Sequence, residues 1–232
     1  MKYSTAEEIK AEQKTITEKF KGDNVSKEKA LVYLGKSSLA EFIHQVPNKS
    51  AEILDFGAGG GMFIKQIHDN GFIHVCAADI DDYRRPDVKK MTEEFKTFDA
   101  SNEPFPWSNE RFDVVTAWEI FEHLENPHRA MREIYRVLKK DGLLFMSVPN
   151  IFHIVSRLIF LKRGLFPRWN KTNNHIAVFP RGIFEKTFLK YFDLVEEKYF
   201  FSQINLPLLK HIKFLPENQW FGNWVFYLLR KK

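Results

Sequence analysis

Between Trp118 and Leu124 the chain reads Trp-Glu-Ile-Phe-Glu-His-Leu, with polar residues of the types that move protons or hold cations. Glu119, Glu122 and His123 stand at i, i+3 and i+4, so on a helical turn all three project to one side. His175, in Asn173-Asn174-His175-Ile176, is a fourth such group and should lead back over the edge of the sheet. Two carboxylates and two imidazoles converging on a cleft suit a divalent cation such as Mg²⁺, which lowers the pKa of an oxygen bound to it. Glu119, Glu122, His123 and His175 are therefore the candidate metal ligands, and His123, His175 and Glu119 the candidate catalytic groups. Without a metal, His175 becomes a lone general base titrating near its unperturbed pKa of roughly 6.5, and His123 a structural imidazole. His44, His68, His74, His128, His153 and His211 have no comparable constellation.

Such residues need a scaffold, and the stretch Ala51–Asp79 supplies the start of one. The apolar pair Ile53-Leu54 runs into the carboxylate Asp55, followed by the turn Gly57-Ala58-Gly59-Gly60-Gly61. Phe63, Ile64 and Ile67 then fall on one helical face, and a second apolar run, Ile73–Ala78, closes on Asp79. Strand, glycine turn, helix and strand make a right-handed βαβ unit whose ligand lies over the turn, at the carboxyl ends of the strands. The dinucleotide fingerprint fails because Met62 occupies the third glycine position, and no Lys-Ser/Thr pair follows to make a P-loop. Asp55 would also repel a phosphate, whereas it suits a cationic amino-acid end. Asp79 stands where a carboxylate accepts both hydroxyls of a ribose. A nucleoside with a positively charged amino-acid tail is S-adenosylmethionine.

Asp55-Phe56-Gly57-Ala58-Gly59-Gly60-Gly61 resembles the first motif of class I methyltransferases, Asp/Glu-x-Gly-x-Gly-x-Gly, and the resemblance extends over most of the chain. It implies an α/β, Rossmann-like, doubly wound seven-stranded sheet whose seventh strand is antiparallel, forming an edge hairpin with the sixth. It further implies an N-terminal helical cap over residues 1–48, a cofactor-binding domain over 49–232, and an extended C-terminal region. Asp55, Gly57, Ala58, Gly59, Gly61, Asp79, Ile80, Asp99, Ala100 and Trp118 fall at the family's cofactor-binding positions. The expected product is S-adenosylhomocysteine. The Glu-x-x-Glu-His run with a distal His is similar to that of metal-dependent O-methyltransferases, among them the ubiquinone-biosynthesis enzymes and the small-RNA 2′-O-methyltransferases. Ser147-Val148-Pro149-Asn150 also resembles the family's strand-ending turn, with Asn150 facing the substrate.

Further elements follow from pattern. Helices are expected over Thr5–Phe20 and from Ser26 towards Val46, ended by Pro47-Asn48. Phe95–Phe98 reads as the third strand, ending on Asp99, and Asn102–Asn109 as irregular because of its two prolines. Phe112–Ala117 is a buried parallel strand. Pro127 opens a helix with Met131, Ile134, Tyr135 and Leu138 on one face, which Asp141-Gly142 stops before the strand Leu143–Val148. Ile151–Leu161 reads as a helix with Ile151, Ile154, Val155, Leu158 and Ile159 inward, and Lys162–Asn174 as a basic loop. A helix over Pro180–Tyr191 and strands at Leu194–Phe201 and Trp224–Leu229 complete the chain.

Composition fits this picture. The 232 residues are 44% hydrophobic and 28% charged, with a formal net charge of +5, and can bury a substantial core. The 23 Phe are densest after residue 150, where core packing explains them best. A single cysteine, Cys76, and no signal-peptide pattern imply a reducing cytoplasm. The expected acceptor is a small molecule, aromatic, sugar or lipid-linked, methylated on oxygen. RNA 2′-hydroxyl methylation is an alternative, weakened by scattered basic residues, and a non-catalytic cofactor-binding scaffold is another. Arg157, Lys162 and Arg163 flank apolar positions in Ile151–Arg163, as in helices that lie on membrane surfaces, although core burial would explain the same face.

Overall fold

A computed structural model describes residues 11, 39–169, 174–200 and 216–232. The elements run β1 (Ile53–Phe56), α1 (Met62–Asp69), β2 (Val75–Asp79), α2 (Pro86–Lys89), β3 (Glu94–Thr97) and β4 (Phe112–Trp118). A 3₁₀ turn (Phe121–His123), α3 (Pro127–Val137), β5 (Leu138–Pro149), α4 (Ile154–Arg163), α5 (Arg181–Thr187), β6 (Phe192–Phe200) and β7 (Trp224–Lys231) follow. One seven-stranded sheet has the order β3-β2-β1-β4-β5-β7-β6. Its strands run parallel except β7, which is antiparallel to both β5 and β6.

Both faces of the sheet are covered, so the central strands are continuously apolar rather than alternating. Successive β1 residues divide between the two sides. Ile53 packs with Ile64 and Ile67 of α1 and with Phe72, while Leu54 and Phe56 join Met131 and Ile134 of α3 on the other face. The N-terminal helices expected over Thr5–Phe20 and from Ser26 lie outside the described residues, apart from Ala11 and residues 39–45, which are helical. There Phe42 is buried edge-on against Phe63 and Phe72.

Several boundaries differ from those the sequence suggests. Ile73 precedes β2 and is 57% exposed, so the apolar run is longer than the strand. Phe98 leaves the β3 ladder to pack against Phe56 and Phe105. Asp141-Gly142 does not stop α3: the helix already ends at Val137, where Leu138 turns extended and pairs with Phe112. Asp141, at φ 61°, and Gly142 instead form an excursion within β5, and the register resumes at Val114 opposite Leu143. The Asn102–Asn109 stretch contains no helix or strand, as its prolines require.

The larger correction concerns α4. Its buried residue is Ser156; of the residues expected inward on the helix, Ile154, Val155 and Ile159 are only half-buried and Leu158 is 58% exposed, and Leu161 beyond them is 82% exposed. Ile151 is buried but lies before the helix. In α5, Phe184 is buried and Phe188 follows it into the core, while Ile183 is exposed.

Candidate active site

Strand order reverses between β1 and β4, and the carboxyl ends of the parallel strands at such a point form the crevice where α/β sheets bind ligands. Asp55 pairs in register with Thr116, whose Oγ1 donates to Asp55 Oδ1 at 2.6 Å, and both are buried. Burial pushes the Asp55 carboxyl up to about 7, the Thr116 hydrogen bond opposes this, and the charge of Asp79 adds to it. Thr116 is a site residue that the sequence hides, because only the strand register reveals that it faces a carboxylate.

This raised pKa makes a stability prediction. A carboxyl whose folded pKa lies above its unfolded value stabilises the fold most when protonated, below about pH 4, and that stabilisation is lost as pH rises towards about 7. The difference across this window is about 4 kcal/mol. Urea titrations of the parent and Asp55→Asn should therefore diverge over this window, with the parent losing stability relative to the amide as pH rises. Parallel pH profiles would contradict the assignment.

The glycine turn is fixed by Gly57 N–H and Ala58 N–H donating to the carbonyl of Ala78 at 2.8 and 3.0 Å. Gly57 and Gly61 have φ of 79° and 77°, and a Cβ there would collide with Ile120 and Val88 at 2.0 and 2.4 Å. Gly59 and Gly60 face open space instead, so the turn is packed from beneath and clear above. Asp79 Oδ2 accepts from Gly59 N–H at 2.8 Å and Oδ1 from Ile80 N–H at 2.7 Å. Each oxygen keeps a second lone pair. Asp99 organises its own loop, accepting from Ser101 N–H and the Asn102 amide, next to the buried Ala100. Trp118 stacks on Phe226 and meets Phe63 edge-on, and its indole N–H is buried with no hydrogen-bond partner among the described residues.

Beyond Trp118 the expected helical turn is broken. Glu119 has a left-handed φ of 53°, and only Phe121–His123 is helical, so Glu119, Glu122 and His123 do not form one stripe. The Glu119 backbone N–H and carboxylate are both held by Ser147, whose Oγ donates to Oε1 at 3.1 Å. Trp224 Nε1 donates to Oε2, and Arg168 lies 3.7 Å from the same oxygen while covering the Trp224 ring. Ser147, Arg168 and Trp224 come from three distant parts of the chain, so sequence spacing gives no signal of this arrangement.

Glu122, His123 and His175 do converge, with one ligand atom from each lying within 4.8 Å of the others. Glu122 is completely buried, and neither carboxylate oxygen accepts a hydrogen bond from a described residue. His123 Nδ1 donates to the carbonyl of Asn174 at 3.3 Å, which leaves the Nε2 lone pair 4.0 Å from Glu122 Oε1. His175 meets the His123 ring edge-on. Its segment is fixed because Ile176 and Ala177 N–H both donate to the backbone carbonyl of Glu122, at 2.8 and 3.0 Å. Burial, reinforced by Glu119, holds Glu122 well above the usual carboxylate range. Burial lowers His123, and pushes His175 down to about 3 with help from His123 and Arg168, so the ordinary imidazole pKa does not apply to His175.

Asn150 does not face a substrate. Its amide donates to the carbonyls of Gln219 and Gly222 and accepts from Phe152 N–H, pinning the end of β5 to the approach of β7. His153 caps α4, His74 pairs with Glu93, and His211 lies outside the described residues.

The sheet order with its lone antiparallel strand, and the glycine turn between two strand-terminal carboxylates, define the class I S-adenosylmethionine-dependent methyltransferase fold. Residues 33–194 match the model of a family described as methyltransferase domain, and the chain belongs to that family. It is 30% identical over 107 residues to a ubiquinone biosynthesis O-methyltransferase of Glaesserella parasuis, covering 43% of this chain and 45% of that protein. A ubiquinone/menaquinone biosynthesis C-methyltransferase of Rickettsia akari is 31% identical over 113 residues, 44% of this chain and 46% of that protein. The chain thus spans less than half the length of these curated relatives. A Thermotoga maritima methyltransferase, described as a possible histamine N-methyltransferase, superposes with a TM-score of 0.66 at 19% identity. That match covers 94% of this chain and 99% of that one and shows the shared fold.

Proposed function

We propose that this chain methylates an oxygen of a small-molecule acceptor. The observation that carries this reading is the Glu122–His123–His175 cluster, in which the buried Glu122 and half-buried His123 follow β4 and the half-buried His175 joins them from a later segment. S-adenosylmethionine supplies the methyl group, on a sulfonium whose departure as a thioether needs no acid. What remains for the chain is to align a hydroxyl, exclude water and take its proton.

The cradle above Gly59 and Gly60, framed by Asp55 and Asp79, fits the cofactor. In this reading Asp79 uses its remaining lone pairs on the ribose hydroxyls, Asp55 faces the amino-acid end, and Gly57, Ala58, Gly59 and Gly61 bring backbone close to it. Ile80, Asp99 and Ala100 border the adenine, and Trp118 lines the wall towards the acceptor. His123 Nε2, unprotonated because Nδ1 carries the hydrogen, is the atom placed to receive the acceptor proton. The same neutral imidazoles and Glu122, whose carboxyl accepts no hydrogen bond from a described residue, also make a ligand set for a divalent cation, which would lower the pKa of the acceptor hydroxyl. Glu119 falls outside that set because Ser147 and Trp224 hold it.

The relatives' descriptions, one an O- and one a C-methyltransferase of quinone biosynthesis, support a small acceptor and leave the atom to be tested. The test is incubation with methyl-labelled S-adenosylmethionine and a fractionated cell extract, followed by identification of the labelled product. A methyl ether or ester is the expected result. Label found only on carbon or nitrogen would overturn O-methylation, and label confined to RNA would favour the 2′-hydroxyl reading.

A further inference from the structure

We infer that the outward face of α4 docks the protein on an anionic lipid surface, with the helix lying flat in the interface. Ile154, Leu158 and Leu161 follow one another at helical spacing, on the side opposite Ser156, the buried residue of the helix. Leu158 and Leu161 are largely exposed, and Leu165 extends the apolar strip just past the helix end at Gly164. On an ordinary soluble surface such residues occur singly; a contiguous exposed patch marks a binding surface.

Charge identifies the occupant. The sequence contains no acidic residue between Asp141 and Glu185, whereas Arg157, Lys162, Arg163, Arg168, Lys171 and Arg181 all fall within that interval. Lys162 and Arg163 are exposed and form no ion pair with a described residue. Arg157 packs over the Trp220 ring at 4.2 Å, setting an aromatic group beside the strip. An apolar strip bordered by the exposed cations Lys162 and Arg163, with aromatic residues at its margin, is complementary to anionic headgroups above an acyl layer.

Spanning is excluded for this helix. Ten residues rise about 15 Å, half of the roughly 30 Å hydrocarbon core, and no described helix is long and apolar enough to cross a membrane. Ile176 and Val178, one and three residues after His175, are also exposed apolar side chains. The inference goes beyond the proposed activity and can fail while methyl transfer to a soluble acceptor persists.

The experiment is co-sedimentation of the full chain with vesicles of phosphatidylcholine alone or of equal parts phosphatidylcholine and phosphatidylglycerol. Binding is expected to the anionic vesicles, weakening as salt is raised. Lys162→Gln and Arg163→Gln should each lower it about fivefold. The double substitution Leu158→Ser with Leu161→Ser should abolish it. These side chains are exposed, so the variants should keep their affinity for S-adenosylmethionine, measured by calorimetry as the test of folding. Absence of sedimentation by a parent protein that binds cofactor would overturn the inference. So would equal binding to both vesicle types, or a stable dimer in solution that the leucine substitutions dissociate.

Discussion

Asp79→Ala is expected to weaken S-adenosylmethionine binding by roughly ten- to a hundredfold. Hydrogen bonds to a charged group contribute about 1.5–3 kcal/mol, and each 1.4 kcal/mol is a factor of about ten in affinity. The substitution removes the acceptor proposed for the ribose hydroxyls. It also releases Gly59 N–H, whose bond to Asp79 Oδ2 helps hold the turn, so the cradle itself loosens. Asp79→Asn should fall between the parent and Asp79→Ala, because one carbonyl oxygen remains while the new amide group confronts a backbone donor. Calorimetric titration decides the matter, and an Asp79→Ala variant that binds as tightly as the parent would remove Asp79 from the cofactor site.

The second large effect concerns the Glu122–His123–His175 cluster. Glu122→Gln and His123→Ala should each lower turnover by about 10²- to 10⁴-fold, the usual loss when a positioned proton-transfer group is removed, while cofactor affinity stays close to the parent's. Separation of the two effects follows from position, since the cluster lies beyond Trp118 and the cofactor cradle rests on β1, β2 and their turn. Chelation then discriminates the two versions of the chemistry. If a cation is held by Glu122, His123 and His175, a chelator reproduces the variants' phenotype and Mg²⁺ or Mn²⁺ restores the rate. If His123 or His175 acts as a base unaided by metal, chelators leave the parent's rate unchanged. Full activity in both His123→Ala and His175→Ala would exclude either role.

Much of the nucleotide half was legible in sequence because its signals are local. Asp55, the glycines and Asp79 occupy one βαβ unit, so strand period, turn chemistry and spacing speak of the same few residues. The acceptor side was legible in its residue types but not in its grouping. Helical spacing sets Glu119 on one stripe with Glu122 and His123, yet its own left-handed backbone takes it off that stripe. Ser147, Trp224 and Arg168, which then hold Glu119, arrive through sheet pairing and a loop whose contacts no spacing rule encodes. Asn150 resembled a substrate ligand by its place after β5, but both ends of its amide are engaged by backbone. The apolar side of α4 illustrates the remaining ambiguity. Periodicity identifies an amphipathic helix, but the direction in which that face points is set by what else is available to cover it.

The tethers on either side of the post-β5 stretch have a consequence for how this architecture changes its chemistry. Asn150 fastens one end to the approach of β7, and the paired amides of Ile176 and Ala177 fasten the other to the Glu122 carbonyl. Neither tether draws on Asp55, Asp79 or the glycine turn. Lengthening the chain between two fixed posts costs little, about 0.6 kcal/mol for each doubling. The proposed cofactor cradle is therefore a chassis, and the chain between Ile151 and Asn174 can vary in length between two sockets that hold β5 and His175 in place. New acceptors can be reached by altering that interval, with the cradle left untouched.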